Sequence, residues 1–407
     1  MKKILILSLI LVVAAASAFA TGTRVLTMGD NNNVMIDDAN VSLYPSRVFN
    51  YPNIGVGEFG STYDGEGYYG NMYKFGVNFK FNEKKPWVLG TYFSTEGTEN
   101  PTAYDGTYFG RYGSGWRGLD LSSNRRIDLL YGRKFGTSIF GFGFNYISSG
   151  SKSDVAGNKW EDSYSRYGFN FGLTPDNGKW DVAAALSLGT WTNKDDSGDV
   201  LTEPDGYTDF SLRGRLFHKL NQNVVLIPHA EVAFGSHGQK AYFPFYYVNG
   251  DTTAYKTKQT TFGLGCGLNY TPVTNVLAVL DFGFSYNKLT TEDTHARYDG
   301  ETWRDTTVTD KQTTVTLPYW KLGLEGDVFS WLDVRFGATS NWESFKWEKN
   351  YKYNYASNST YLGLGFNFNR LHLDTQVNPE LFLEGFNFIS GNSNHMNYQI
   401  RALYEMF

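Results

Sequence analysis

Two histidine–carboxylate pairs stand out as residues able to move protons. His229 and Glu231 alternate in "IPHAEVAF", and His372 and Asp374 alternate in "LHLDTQV". In each, a histidine stands beside a carboxylate that could orient it, as a general base requires. Residues two apart on a strand are roughly 6.5–7 Å apart at Cα, so neither pair is a built-in hydrogen bond. No serine elbow lies nearby, and a metal site needs a third and fourth ligand at recognisable spacing. Enzymatic and metal chemistry are therefore not expected, nor is any cofactor. "GLGCGLN" keeps its glycines inside an alternating segment, not at a strand-to-helix turn, so the phosphate-loop reading fails. "DNNNVMIDD", from Asp30 to Asp38, is rich in oxygen ligands but lacks the Gly and closing Glu of a calcium loop. It reads as a turn-rich polar segment.

These residues must be positioned by strands. In "TYLGLGFNFN", Leu362, Leu364, Phe366 and Phe368 share one face, and Gly363, Gly365, Asn367 and Asn369 share the other. "SRYGFNFGL" and "TFGLGCGLNY" repeat this two-residue period, which gives each strand one oily side. The chain is 17% aromatic and carries 44 glycines, yet no long apolar run follows the first twenty residues. Alternation of lipid-facing and lumen-facing residues explains that combination. Short turns, such as Asn82–Pro86 and Pro175–Gly178, alternate with long polar segments at 97–124, 150–163, 192–206, 236–253, 288–311, 347–358 and 378–394. Those segments read as loops. Trp87, Trp180 and Trp331 follow short turns, while Trp191, Tyr286 and Trp342 lie near the opposite strand ends. Two aromatic girdles are the expectation.

The predicted fold is all-β: a transmembrane antiparallel up-and-down β-barrel of about 16 strands, with 14 as the alternative. A parity change near Pro318 predicts a bulge. "MKKILILSLILVVAAASAFA" has two lysines, a short apolar run and a small-x-small end. It reads as a secretory signal at 1–20, cleaved after Ala20. Residues 21–53 are expected to form a periplasmic or lumen-filling segment, and 54–407 the barrel. An outer-membrane location follows.

Read by parity, the lumen face gathers charge of both signs. Arg126, Asp128, Arg166 and Asp181 are on it, followed by Arg213, Arg215, His229 and Glu231. Asp281, Lys321, Glu325, Asp333, Arg335, Asp374 and Arg401 complete it. Such charges either select solutes by sign or pair across strands to keep the interior wet and ordered. The aromatic loops at 97–124 and 378–394 either capture a ligand or close over the mouth. A net charge of −5 disfavours nucleic acid as a partner, and the single cysteine, Cys266, excludes an internal disulfide. Membrane lipid, small solutes or hydrophobic ligands, and the outer-membrane assembly machinery are the expected partners. The oligomeric state is not legible.

The stretch after the signal, "TGTRVLTMGDNNNVMIDDANVSLYPSRVFNYPNI", resembles the opening of the long-chain fatty-acid transporter (FadL-like) family of outer-membrane barrels. The matching residues are Met28-Gly29, Asp37-Asp38-Ala39 and Tyr44-Pro45-Ser46. The resemblance implies a hatch inside the barrel, carried by Met28, Gly29, Asp37, Asp38, Tyr44 and Pro45. It also implies fourteen strands and inward carriage of hydrophobic solutes. Passive passage of small solutes or hydrophobic ligands is the leading expectation. A plugged barrel that docks a partner for secretion or surface attachment is the alternative, and a barrel hydrolase is disfavoured. Phe407 shares the parity of Arg401 and Glu405, not of Tyr404 and Met406. Its facing stays open between a bulge near Glu405 and a turn back at the rim.

Overall fold

The computed structural model describes residues 23–63, 69–96, 124–155, 158–194, 200–242, 252–298, 303–347, 351–377 and 398–406. The signal reading, the segments 97–123 and 378–397, and Phe407 lie outside them.

Strands follow one another as neighbours: β1 (Ile54–Tyr63), β2 (Tyr69–Phe81), β3 (Trp87–Glu96), β4 (Asn124–Phe135), β5 (Ser138–Val155), β6 (Asn158–Pro175), β7 (Trp180–Lys194) and β8 (Val200–Leu216). A two-residue piece, β9 (His218–Lys219), continues β8 along the next strand. Then come β10 (Val224–Tyr242), β11 (Thr252–Tyr270), β12 (Val276–Tyr298), β13 (Trp303–Phe329), β14 (Leu332–Trp347), β15 (Tyr351–Phe368), β16 (Leu371–Val377) and β17 (Tyr398–Glu405). Every pairing is antiparallel, and β17 pairs with β1 from Ile54↔Glu405 to Ser61↔Tyr398. With β9 as a continuation of β8, this is a closed barrel of sixteen strands. Closure removes the open edges that hydrocarbon does not tolerate.

The two faces are those of the alternation. Outward side chains are apolar and uncovered: Leu264 is 53% exposed, Phe282 52% and Phe234 50%. Gly263, Gly265 and Gly267 point inward between them, and Cys266 points outward with Leu264 and Leu268. At the short-turn end Trp87 stacks on Phe81 with ring centroids 4.3 Å apart, and Trp331 stacks on Phe329 at 5.6 Å. These rings sit where an amphipathic ring prefers the lipid–water boundary. The register of β13 shifts between Thr316 and Tyr319 against β14, placing the predicted bulge at Pro318.

Several segments read as loops are strand. Residues 150–155 and 158–163 extend the β5–β6 hairpin, and 288–298 and 303–311 extend β12 and β13. β13 reaches 27 residues, whereas β16 has 7. Beyond the bilayer both faces of a hairpin meet water, so no apolar stripe marks these extensions.

Residues 23–53 lie against the inner wall, as a short helix (Thr23–Thr27) and two 3-10 turns (Asp38–Val41 and Pro45–Asn50). The apolar core is the seam between this segment and the wall. Val25, Met28, Val34 and Met35 pack with Ile227 and Val279, while Val41 and Val48 pack with Val56, Val88 and Leu130.

Candidate functional site

Wall glycines shape the seat of the inner segment. Met28-Gly29 lies over Gly323 and Gly337, Thr27 over Gly363, and Pro45-Ser46 over Gly141 and Gly172. A β-carbon at Gly141 would overlap the Pro45–Ser46 peptide. Gly29 adopts φ +79°, a conformation open to glycine at little cost.

Asp181 anchors one side. Arg47 Nε donates to its two oxygens at 2.9 and 3.1 Å, Arg215 Nε donates to Oδ2 at 2.8 Å, and Thr174 Oγ1 donates to Oδ1 at 2.6 Å. All three charged side chains are buried, Asp181 completely. Arg215 Nη1 also donates to the carbonyls of Asn32, Asn33 and Met35 at 3.1, 3.1 and 2.7 Å. Its guanidinium lies 4.2 Å from the centroid of the Tyr44 ring. Lys321 Nζ donates to the Asp30 carbonyl and carboxylate at 2.7 and 3.0 Å. Oxygens of the "DNNNVMIDD" stretch are thus served by the wall's own cations, and no cluster of metal-ligating side chains occurs among the described residues.

A second network gathers on the opposite side. Arg24 donates to Asp37 at 2.9 Å and to both oxygens of Glu325 at 2.6 and 2.8 Å. Arg335 bridges Glu325 at 2.6 Å and Asp374 at 2.5 Å. It also reaches Asp333 at 3.3 Å. Arg401 pairs with Asp38, and lies 3.8 Å from Asp37 and 3.6 Å from Asp374. Thr23 donates through backbone and hydroxyl to Glu58 at 3.0 and 3.1 Å. Burial raises the Asp38 carboxyl to about 6; Arg401 opposes the rise and the neighbouring Asp37 adds to it. Burial pushes Asp37 the same way, but Arg401 and Arg24 outweigh it and hold that carboxyl below its usual range.

The two candidate proton-moving pairs are not assembled. His229 Nε2 bonds Asp281 Oδ1 at 2.9 Å across strands instead of Glu231. His372 Nδ1 bonds Asn367 Oδ1 at 2.7 Å, and Asp374 belongs to the arginines. Arg126 pairs with Asp128 at 2.8 Å on β4. Arg166 is buried on β6, and Arg213 stands opposite Glu231 in the β8–β10 register. Sequence reading missed Arg24, Arg47 and Glu58 as the residues that complete these networks. An arginine inside a short, small-residue segment is the signal available, but its partner lies 134 residues away for Arg47 and 301 for Arg24.

No protein-family model and no curated protein matches this chain. Similar solved structures include CdiB from Escherichia coli, at 11% identity and TM-score 0.48 over 86% of this chain. The chain spans 62% of the length of that protein. The Pseudomonas putida toluene transporter TodX matches at 11% identity and TM-score 0.40, over 96% of this chain and 99% of its own. The ferric yersiniabactin uptake receptor FyuA from Yersinia pestis matches at 9% identity and TM-score 0.40, over 88% and 81%.

Proposed function

We propose that this protein is an outer-membrane transporter for passive passage of small polar solutes, gated at its short-turn end by the N-terminal segment. One observation carries the reading: residues 23–53 make side-chain contacts round the wall, from Glu58 on β1 to Arg401 on β17. A solute crossing that level must displace the segment. The inward wall is polar and glycine-rich, which suits hydrated solutes better than the hydrophobic cargo implied by the resemblance to fatty-acid transporters. Sixteen strands against fourteen point the same way, toward a wider interior.

Ser46 Oγ and Thr174 Oγ1 lie 2.8 Å apart, so Ser46→Cys with Thr174→Cys places two thiols across the gate. In a Cys266→Ser background, planar-bilayer conductance is expected to be low when this pair is oxidised and to rise on reduction. Absence of current in both states, and also after deletion of the segment, would end the transport reading. A docking role is the second reading, favoured by the buried ion pairs, because charge held this deep is costly to expose singly. A stoichiometric partner co-purifying with the oxidised, locked form would support it.

A further inference from the structure

At the end of the barrel away from the gate, β11 to β15 rise as a continuous sheet. On its inward face Tyr353, Phe345, Thr314, Asn287 and Thr261 are successive register partners, one per strand. Neighbouring strands are about 4.8 Å apart, so the row is roughly 19 Å wide. One end of it is aromatic. The Phe345 and Tyr353 rings have centroids 4.7 Å apart, and Tyr355 follows Tyr353 at 5.8 Å in a stacked pair. Phe345 is buried at 5% exposure and backs the ladder, while Tyr353 is 51% exposed and Tyr355 39%. Glu343 stands opposite Tyr355 in the register and accepts its hydroxyl hydrogen bond, which fixes the carboxylate beside the ring.

The other end is amide. Gln259 Nε2 donates to Asn287 Oδ1 at 2.9 Å, which leaves Gln259 Oε1 and Asn287 Nδ2 without a partner among the described residues. Inward positions of β11 to β15 above Tyr319 carry no lysine or arginine among the described side chains.

We infer that this inward row is a binding subsite for neutral, hydroxyl-rich ring solutes: sugars, and above all short linear oligosaccharides. The inference rests on the transport reading and names its substrate class. A sugar ring has an apolar C–H face and a polar edge. The electron-rich face of Tyr353 or Tyr355 takes the C–H face. Glu343 accepts from edge hydroxyls, and the amides both donate and accept. An anionic solute meets Glu343 with no lysine or arginine beside it among the described inward side chains. Gln259 and Asn287 are already largely buried, and an apolar ligand would cover what remains open of their amides without pairing it, which disfavours such a ligand.

The full-length protein in a planar bilayer is titrated with linear maltodextrins and cellodextrins against sodium glutamate and decanoate. Reversible current block by one of the sugar series, but by neither anion, is expected. Tyr353→Ala with Tyr355→Ala should weaken the block about tenfold or more at unchanged sugar-free current, and Tyr353→Phe in the wild type, which keeps the ring face, should preserve it. Current without sugar block in the wild type, or block unchanged in the double alanine variant, overturns the subsite and leaves the transport reading standing. If no current flows, calorimetric binding of the same sugars to wild type and double variant in detergent decides the subsite alone. Loss of heat-resistant barrel mobility in a variant sends the test to Glu343→Gln, which is expected to weaken block in the same direction.

Discussion

Asp181 shows how a single residue holds the interior. It is fully buried between two buried arginines, one from the gate segment and one from the wall. Removing one member of such a set leaves its partners charged and unpaired, at a cost of about 3–5 kcal/mol. Asp181→Asn is therefore expected to release the segment by that order, read as faster proteolysis of residues 23–53 with the barrel intact. Asp38 gives a pH dependence. Its carboxyl sits at about 6 when docked, above the usual value of 3.8, so the docked form binds the proton more tightly. That contribution is fully present below the usual value and is lost as pH rises through the docked one. Asp37 acts with the opposite sign, and only in stronger acid, because its docked carboxyl is depressed. Gate opening should thus increase between about pH 4 and about pH 7, and Asp38→Asn should flatten the profile. Bilayer recordings across that range check it; opening favoured by mild acid would contradict the assignment.

At the scale of elements, the 3-10 turn Pro45–Asn50 is seated by glycines on β5 and β6. Gly141→Ala would drive a methyl into the Pro45–Ser46 backbone, whereas the outward Gly55 has open space around it. The first substitution is expected to raise basal conductance and the second to leave it unchanged. Much of this level was legible in the sequence, because alternation reports which side of a strand meets lipid. The bulge at Pro318 was legible for the same reason, as a break in parity. The hairpin extensions were not, since a strand wet on both faces carries no apolar period to read. Nor were the partners of the gate. His229 shares a strand face with Glu231, yet its partner is Asp281, two strands away in the sheet. Cross-strand pairing depends on register, and register is set by the whole sheet.

The whole molecule behaves as an inverted globule, with apolar surface outside and ion pairs within. Cys266 reports on that arrangement. It faces outward between Leu264 and Leu268 on β11. In proteoliposomes it should resist a charged, membrane-impermeant maleimide yet react with a lipid-soluble one, and react with both once unfolded. Labelling by the charged reagent in the bilayer would place β11 differently. Leu264→Lys, on the same stripe, should cost about 2–4 kcal/mol in unfolding from lipid.

The seam that closes the wall has a consequence for the order of biogenesis. β1 and β17 meet with Glu58 opposite Arg401, and these two residues also hold Thr23 and Asp38 of the gate. Thr23 finds Glu58 early in the chain, whereas Asp38 waits for Arg401, one of the last described residues. A nascent chain lacking β17 has an unsealed wall and a segment without its Arg401 anchor together. Sealing the wall and completing the Arg401 anchor are thus one step, so a misjoined cylinder would leave Asp38 without its cation.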